Sequence, residues 1–174
     1  MNQLAPQILP ATEADLPAIA QLAEVIWRAH YPGIISTEQI DFMLAKMYSL
    51  DVLREEIRLR CILYNRLFVG EEFIGFASHG PTGQPATFKL HKLYLRPEWH
   101  GHGLGSLLLN HCEREVSKLG CRRFLLAVNK ANTKGIAAYR RNGFAVMESV
   151  IVDIGGGFVM DDYVMAKELN PPAV

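Results

Sequence analysis

A loop of alternate glycines, His100-Gly101-His102-Gly103-Leu104-Gly105-Ser106, stands between a strand-like run, Phe88 to Leu95, and a helical run, Ser106 to Val116. The breaker Arg96-Pro97 separates strand from loop. Glycines at alternate positions clear side chains away, so a row of backbone N–H groups can face one ligand. Those groups also lie at a helix N-terminus, where unsatisfied donors and the positive end of the dipole favour an anion. Strand, glycine loop and helix start together describe a phosphate or pyrophosphate cradle. Two common cradles fail on spacing. No Lys-Ser or Lys-Thr pair follows Gly105, as a nucleotide-triphosphate loop needs, and the third glycine of the dinucleotide fingerprint is replaced by Ser106 or Leu108.

A second block follows in order. After Leu119-Gly120 comes an apolar strand, Arg123 to Val128, and then Asn132, Tyr139 and Gly143-Phe144. Asn132 and Tyr139 are seven residues apart and share one face of a short helix. Taken alone, Asn132 is a good helix cap and Tyr139 a half-buried packing residue. The two blocks together resemble the GCN5-related N-acetyltransferases. In that family a Gln or Arg, two residues and then Gly-x-Gly or Gly-x-Ala grip the pyrophosphate of acetyl-CoA; here His100 stands where Gln or Arg is usual. The resemblance covers most of the chain, with its motifs between Leu90 and Phe144.

The remaining features agree. A chain of 174 residues, 49% of them hydrophobic, suits one domain over 1–174 with a real core. Formal net charge is zero, so neither nucleic acid nor a membrane surface is an expected partner. No apolar run reaches a membrane span. Three cysteines, Cys61, Cys112 and Cys121, lack zinc or disulfide spacing. They read as reduced thiols of a cytoplasmic protein, and no metal site is expected.

Periodicity gives the architecture. A short strand at Ile8-Leu9 precedes a helix from a Thr12–Asp15 capping start to about Ala29. A capping box, Ser36 with Gln39, opens a helix to roughly Met47, and another helical stretch runs from Ser49 or Leu50 to Arg60. Strands follow at Leu63–Val69, Phe73–Ser78 and Thr87–Leu95, and two closing strands near Ala145–Ile154 and Phe158–Lys167. The Leu125–Val128 run predicts a central strand buried on both faces. Only Met1–Gln7 and Asn170–Val174 look loose. The fold class is α/β: a mixed, mostly antiparallel sheet of six to seven strands flanked by four to five helices, the layout the resemblance implies.

The resemblance also implies chemistry. The pantetheine arm of acetyl-CoA lies along the backbone of Leu93-Tyr94-Leu95, and the pyrophosphate meets His100 to Ser106. Asn132 belongs to the same site, and Tyr139 stands near the sulfur as the acid for the leaving thiolate. Some relatives carry a Glu where this chain has His91, so His91 is either the base or a polar strand residue. Alternation puts it on the face of Lys89, Leu93 and Leu95. A base is useful because a primary ammonium with pKa ~10.4 leaves roughly one molecule in a few thousand neutral at pH 7. The acceptor enters between the first helices and the last hairpin, near Trp27, Tyr31, Asp161 and Asp162, with Glu24 a further acidic contributor.

Tyr31 to Ser36, Ile40 to Leu44 and Ile154 to Met165 resemble bacterial polyamine N-acetyltransferases, making a small amine or polyamine the first acceptor. A protein N-terminus or lysine, or a non-catalytic acyl-CoA-binding module, are the alternatives. The apolar closing strands suggest a homodimer.

Overall fold

The computed structural model describes residues 5–170. Seven strands form one sheet in the order β1-β2-β3-β4-β5-β7-β6. They are β1 (Pro6–Pro10), β2 (Leu63–Val69), β3 (Glu72–Pro81), β4 (Thr87–Leu95), β5 (Arg123–Asn129), β6 (Ala145–Gly155) and β7 (Phe158–Glu168). Only β4 and β5 run parallel, joined by the crossover helix α4 (Leu104–Lys118). The expected class and strand count hold. Gln7, expected to be loose, is held in β1 opposite Phe68; residues 1–4 and 171–174 lie outside the described chain.

Three helices, α1 (Leu16–His30), α2 (Thr37–Tyr48) and α3 (Leu50–Arg58), cover one face of β2–β4. Leu16, Ile19, Trp27, Ile40 and Leu53 pack there against Tyr64 and Phe76. On the other face Leu104, Leu108, Leu109, Cys112 and Val116 of α4 pack on Leu90, Phe124, Leu126 and Met165, and Ile136 of α5 (Thr133–Arg141) extends that core.

Local rules are obeyed where the helices begin. Thr12 and Asp15 close a capping box, and the Ser36 hydroxyl accepts the Gln39 N–H at 3.1 Å. The Gln39 side chain does not return to the cap; it donates to the Val159 carbonyl at 2.8 Å and ties α2 to β7.

Two departures from the sequence expectation shape the site. β5 is buried on one face only: Leu126 and Val128 are inside while Ala127 is exposed, because α1–α3 stop short of it. The strand enclosed on both faces is β3. The second departure is a bulge. Ser78 pairs with Lys92 and His79 with Leu90, so His91 has no opposite residue. The extra residue breaks alternation. Leu90, Leu93 and Leu95 all face α4, while Lys92 and Tyr94 face α1–α3, so Lys89 and His91 do not share a regular face with Leu93 and Leu95.

The bulge redirects β4. Its parallel pairing with β5 covers Thr87–Leu90 against Arg123–Leu126 and ends there, although β4 continues to Leu95 and β5 to Asn129. Beyond Leu90 the two strands splay. The main-chain groups of Leu93–Leu95 and Ala127–Asn129 that face the gap have no strand partner across it.

Candidate active site

The glycine loop lies at the open end of this splay. α4 begins at Leu104, earlier than the sequence suggested, with Gly103 as its N-cap at φ +75°. Gly101, at φ +83°, also needs the left-handed region that glycine enters freely. The first helical bond runs from the Leu107 N–H to the Gly103 carbonyl. The amides of Leu104, Gly105 and Ser106 therefore precede the ladder and point out of the helix end. A Cβ on Gly101 or Gly103 would meet no atom within 4 Å, so the space beside both is open. A Cβ on Gly105 would touch Leu95 at 3.4 Å, which locks the first turn of α4 against β4.

His100 does not point along the loop. Its Nε2 pairs with the Leu95 carbonyl at 3.0 Å and ties the loop to the strand end. His102 is exposed, with its ring 6.4 Å from that of Trp99. Two further residues shape the loop: His30, which the sequence puts with Trp27 and Tyr31 near the acceptor entrance, and Asn142, which it does not single out. The His30 ring lies 6.5 Å from that of His100, and its pKa is lowered by burial and then by His100 and Lys134, so three basic side chains gather beside the cradle. Asn142 donates to the Ser106 hydroxyl at 3.0 Å and braces α5 against the first turn of α4. Residues 36 positions apart carry no local signal of such a brace.

Asn132 caps α5, accepting the Gly135 N–H at 3.0 Å. A Cβ on Gly135 would stand 2.7 Å from the Asn132 amide, so the pair is a fitted cap. Two turns along α5, Tyr139 packs edge-on against Phe144 at 6.0 Å. Burial pushes its phenol up to about 12, which keeps it protonated at neutral pH.

On the α1–α2 side an aromatic wall rises. Trp27 packs against Tyr31 with ring centres 4.4 Å apart and planes tilted by 38°, and stands 5.8 Å from both Tyr48 and Tyr94. Trp27 is only 1% exposed, so it backs Tyr31 and does not itself line an opening. The Tyr31 and Tyr94 hydroxyls are 3.5 Å apart. Burial raises both phenols; Tyr94, Tyr139 and Asp162 raise Tyr31 further, while Tyr48 and Tyr139 raise Tyr94 and its hydrogen bond with Tyr31 lowers it. Those mutual influences gather Tyr31, Tyr94, Tyr139 and Asp162 around the splay.

The acidic pair separates. Asp161 is exposed and ion-paired to Lys130 beside Tyr163, on the α5 side. Asp162, its neighbour on a strand, faces the other way. It is 4% exposed, and burial raises its carboxyl above the ordinary range. Glu24 is spent at the surface on Arg28, 3.1 Å away.

His91 sits in the bulge with its Nε2 buried and without a partner among the described residues. Burial, then Lys89, Lys92, His79 and Arg60, lower its pKa to about 4. Its ring is neutral and its surroundings are cationic. Among the described residues, no three His, Cys, Asp or Glu side chains form a metal-ligand group, and no helix is long and apolar enough to cross a membrane.

Comparison with known proteins meets this geometry. A spermidine N(1)-acetyltransferase of Thermoplasma acidophilum is 30% identical over 151 residues, spanning 84% of this chain and 90% of that protein. An aminoglycoside N(6')-acetyltransferase type 1 of Stenotrophomonas maltophilia is 28% identical over 155 residues, 84% and 91% of the two chains. The crystal structure of PaiA N-acetyltransferase from Thermoplasma acidophilum in complex with coenzyme A is similar with a TM-score of 0.79. The likeness spans 95% of this chain and 99% of that one at 28% identity. The sequence profile of the acetyltransferase (GNAT) family matches residues 19–144, from the first turn of α1 to just before β6. With its glycine loop at a helix start and a splayed parallel strand pair beside it, this chain belongs to the GNAT family of acetyltransferases, enzymes that draw their acetyl group from acetyl-CoA.

Proposed function

We propose that residues 1–174 form one acetyltransferase domain that acetylates a primary amine, a small amine or polyamine, by direct attack on the thioester. The observation that carries this reading is the buried Asp162 carboxylate beside the Tyr31–Tyr94 wall, on the side of the splay opposite the α4 cradle. An anionic, aromatic-walled opening suits an alkylammonium better than a neutral or anionic acceptor. The similarity to a spermidine acetyltransferase over most of both chains supports the same acceptor class.

In this mechanism the amides of Leu104 to Ser106, with Gly101, His102 and Gly103 left open around them, hold the pyrophosphate. His100 fixes the loop to Leu95, and Asn132 holds α5 at the edge of the site. The main-chain groups of Leu93, Tyr94 and Leu95 that face the splay, apart from the Leu95 carbonyl held by His100, receive the pantetheine arm as a partial added strand. Tyr139 gives a proton to the departing sulfur. A phenol near 12 is a weak acid against a thiol near ~8.5. The transfer therefore runs downhill only if Tyr139 recovers a proton from the nitrogen of the collapsing intermediate in the same step.

The acceptor is tested by following thiol release from acetyl-CoA with spermidine, putrescine, an aminoglycoside, an amino acid and a short peptide. Di- and polyamines are expected to exceed the amino acid and peptide at least tenfold in kcat/KM. Preference for the peptide would replace this reading with acetylation of a protein N-terminus or lysine.

We place the enzyme in the cytoplasm, where its three unpaired cysteines stay reduced. We also place a second copy against the outer edge of β6, where Met147, Ile151 and Val152 are exposed on an unpaired edge strand, Ile151 at 69%. Light scattering at tens of micromolar should report a dimer; a monomer there would count against it.

A further inference from the structure

The Asp162 carboxylate stands apart from the other buried acid. Glu56, similarly buried, is neutralised by Lys92 at 2.7 Å and accepts the Tyr64 hydroxyl as well. Asp162 makes no ion pair and no side-chain hydrogen bond with any described residue, yet is 4% exposed. A largely buried carboxylate without a partner is costly, and a cation that visits it relieves the cost. Its position says which cation. β7 pairs Asp162 with Asn129, the last residue of β5, at the mouth of the splay. Its side chain lies on the face of Met160 and Tyr31, whereas Asp161 and Tyr163 lie on the face of α5.

We propose that Asp162 is the proton acceptor of the reaction, taking the proton from the acceptor ammonium that it binds. This rests on the amine-acetyltransferase reading and deepens it. The charged and titratable groups that face Asp162 are Lys89 from β4, Lys130 beyond the end of β5, Asp161 on its own strand and Tyr31 at the end of α1. Lys89 and Lys130 favour the carboxylate, Asp161 opposes it, and burial, the largest influence, also opposes it, so Asp162 is a stronger base than an ordinary aspartate. His91 is placed otherwise: its free nitrogen is enclosed, and Lys89, Lys92 and Arg60 repel an ammonium from it.

The protons balance. One of the three ammonium protons passes to Asp162 and then to solvent, leaving a neutral amine. The nitrogen lone pair forms the C–N bond and the C–S bond breaks, with its electron pair leaving on sulfur. A second nitrogen proton reaches that sulfur by way of Tyr139, and the third stays on the amide.

The test compares Asp162→Asn with the parent, using spermidine and acetyl-CoA across pH. Asn keeps size and polarity but cannot accept the proton. The expected result is a fall in kcat of about a hundredfold at neutral pH, with acetyl-CoA affinity unchanged by calorimetry. The loss should shrink as pH rises towards the pKa of the amine. The acid limb of the parent, set by a carboxyl above its ordinary range, should vanish. A higher KM with unchanged kcat and unchanged pH profile would overturn the proposal, making Asp162 an anchor only. Should Asp162→Asn not fold, Asp162→Glu decides: it must retain the acid limb at reduced kcat, and a lost limb would overturn the proposal. A parent that transfers acetyl to no amine fails the proposed function itself, and this proposal with it; an active parent with an indifferent Asp162→Asn fails this proposal alone.

Discussion

Gly103→Val is expected to weaken acetyl-CoA binding at least tenfold, a loss of about 1.4 kcal/mol or more, while the protein still folds. Two effects act together. Gly103 caps α4 at φ +75°, where a β-branched residue is strained by roughly 1–3 kcal/mol. The Cβ also enters space that no protein atom occupies within 4 Å, the space through which, in the proposed function, a diphosphate reaches the amides of Leu104 to Ser106. Gly103→Asn separates the two, since Asn tolerates the left-handed region but still fills that space. Calorimetry should find both variants weak, with Gly103→Asn melting closer to the parent. Unchanged affinity in a folded Gly103→Asn would mean that the diphosphate lies elsewhere.

What could be read in the chain beforehand was whatever depends on near neighbours. The Thr12–Asp15 and Ser36 caps, the limits of β2 and β4 and the glycine helix start follow from residues within a few positions of one another, and the structure has them. The features that escaped are set by distant partners. Whether β5 is wrapped depends on where α1–α3 end, and the last of them closes at Arg58, far before β5 begins at Arg123. The bulge at His91 comes from how β3 registers against β4, and no pattern within β4 marks it. The splay follows from that bulge, so the sequence carries the resemblance to the family but not the gap between β4 and β5.

The acidic pair shows the same division. That Asp161 and Asp162 face opposite sides follows from strand alternation alone. Which of them is buried and which meets Lys130 depends on the packing of α1, α2 and α5 around β7. The resemblance put Trp27 at the acceptor's entrance, and only the tertiary packing shows it lying behind Tyr31. The Gln39 side chain, free to complete its own cap, instead meets a carbonyl 120 positions away.

Acetyl transfer at the splay, with Tyr139 supplying the proton to sulfur, is tested most directly by Tyr139→Phe in single-turnover thiol release. Phenylalanine keeps the ring that packs on Phe144 and removes only the hydroxyl, so stability and acetyl-CoA affinity should barely move. Because burial keeps that phenol protonated up to about 12, the parent should lose no activity to phenol ionisation until well into the alkaline range. The single-turnover rate of Tyr139→Phe should fall by about ten- to a thousandfold, the range for losing a general acid. A rate equal to the parent's, measured where chemistry limits turnover, would contradict the assignment and move the reacting sulfur away from Tyr139.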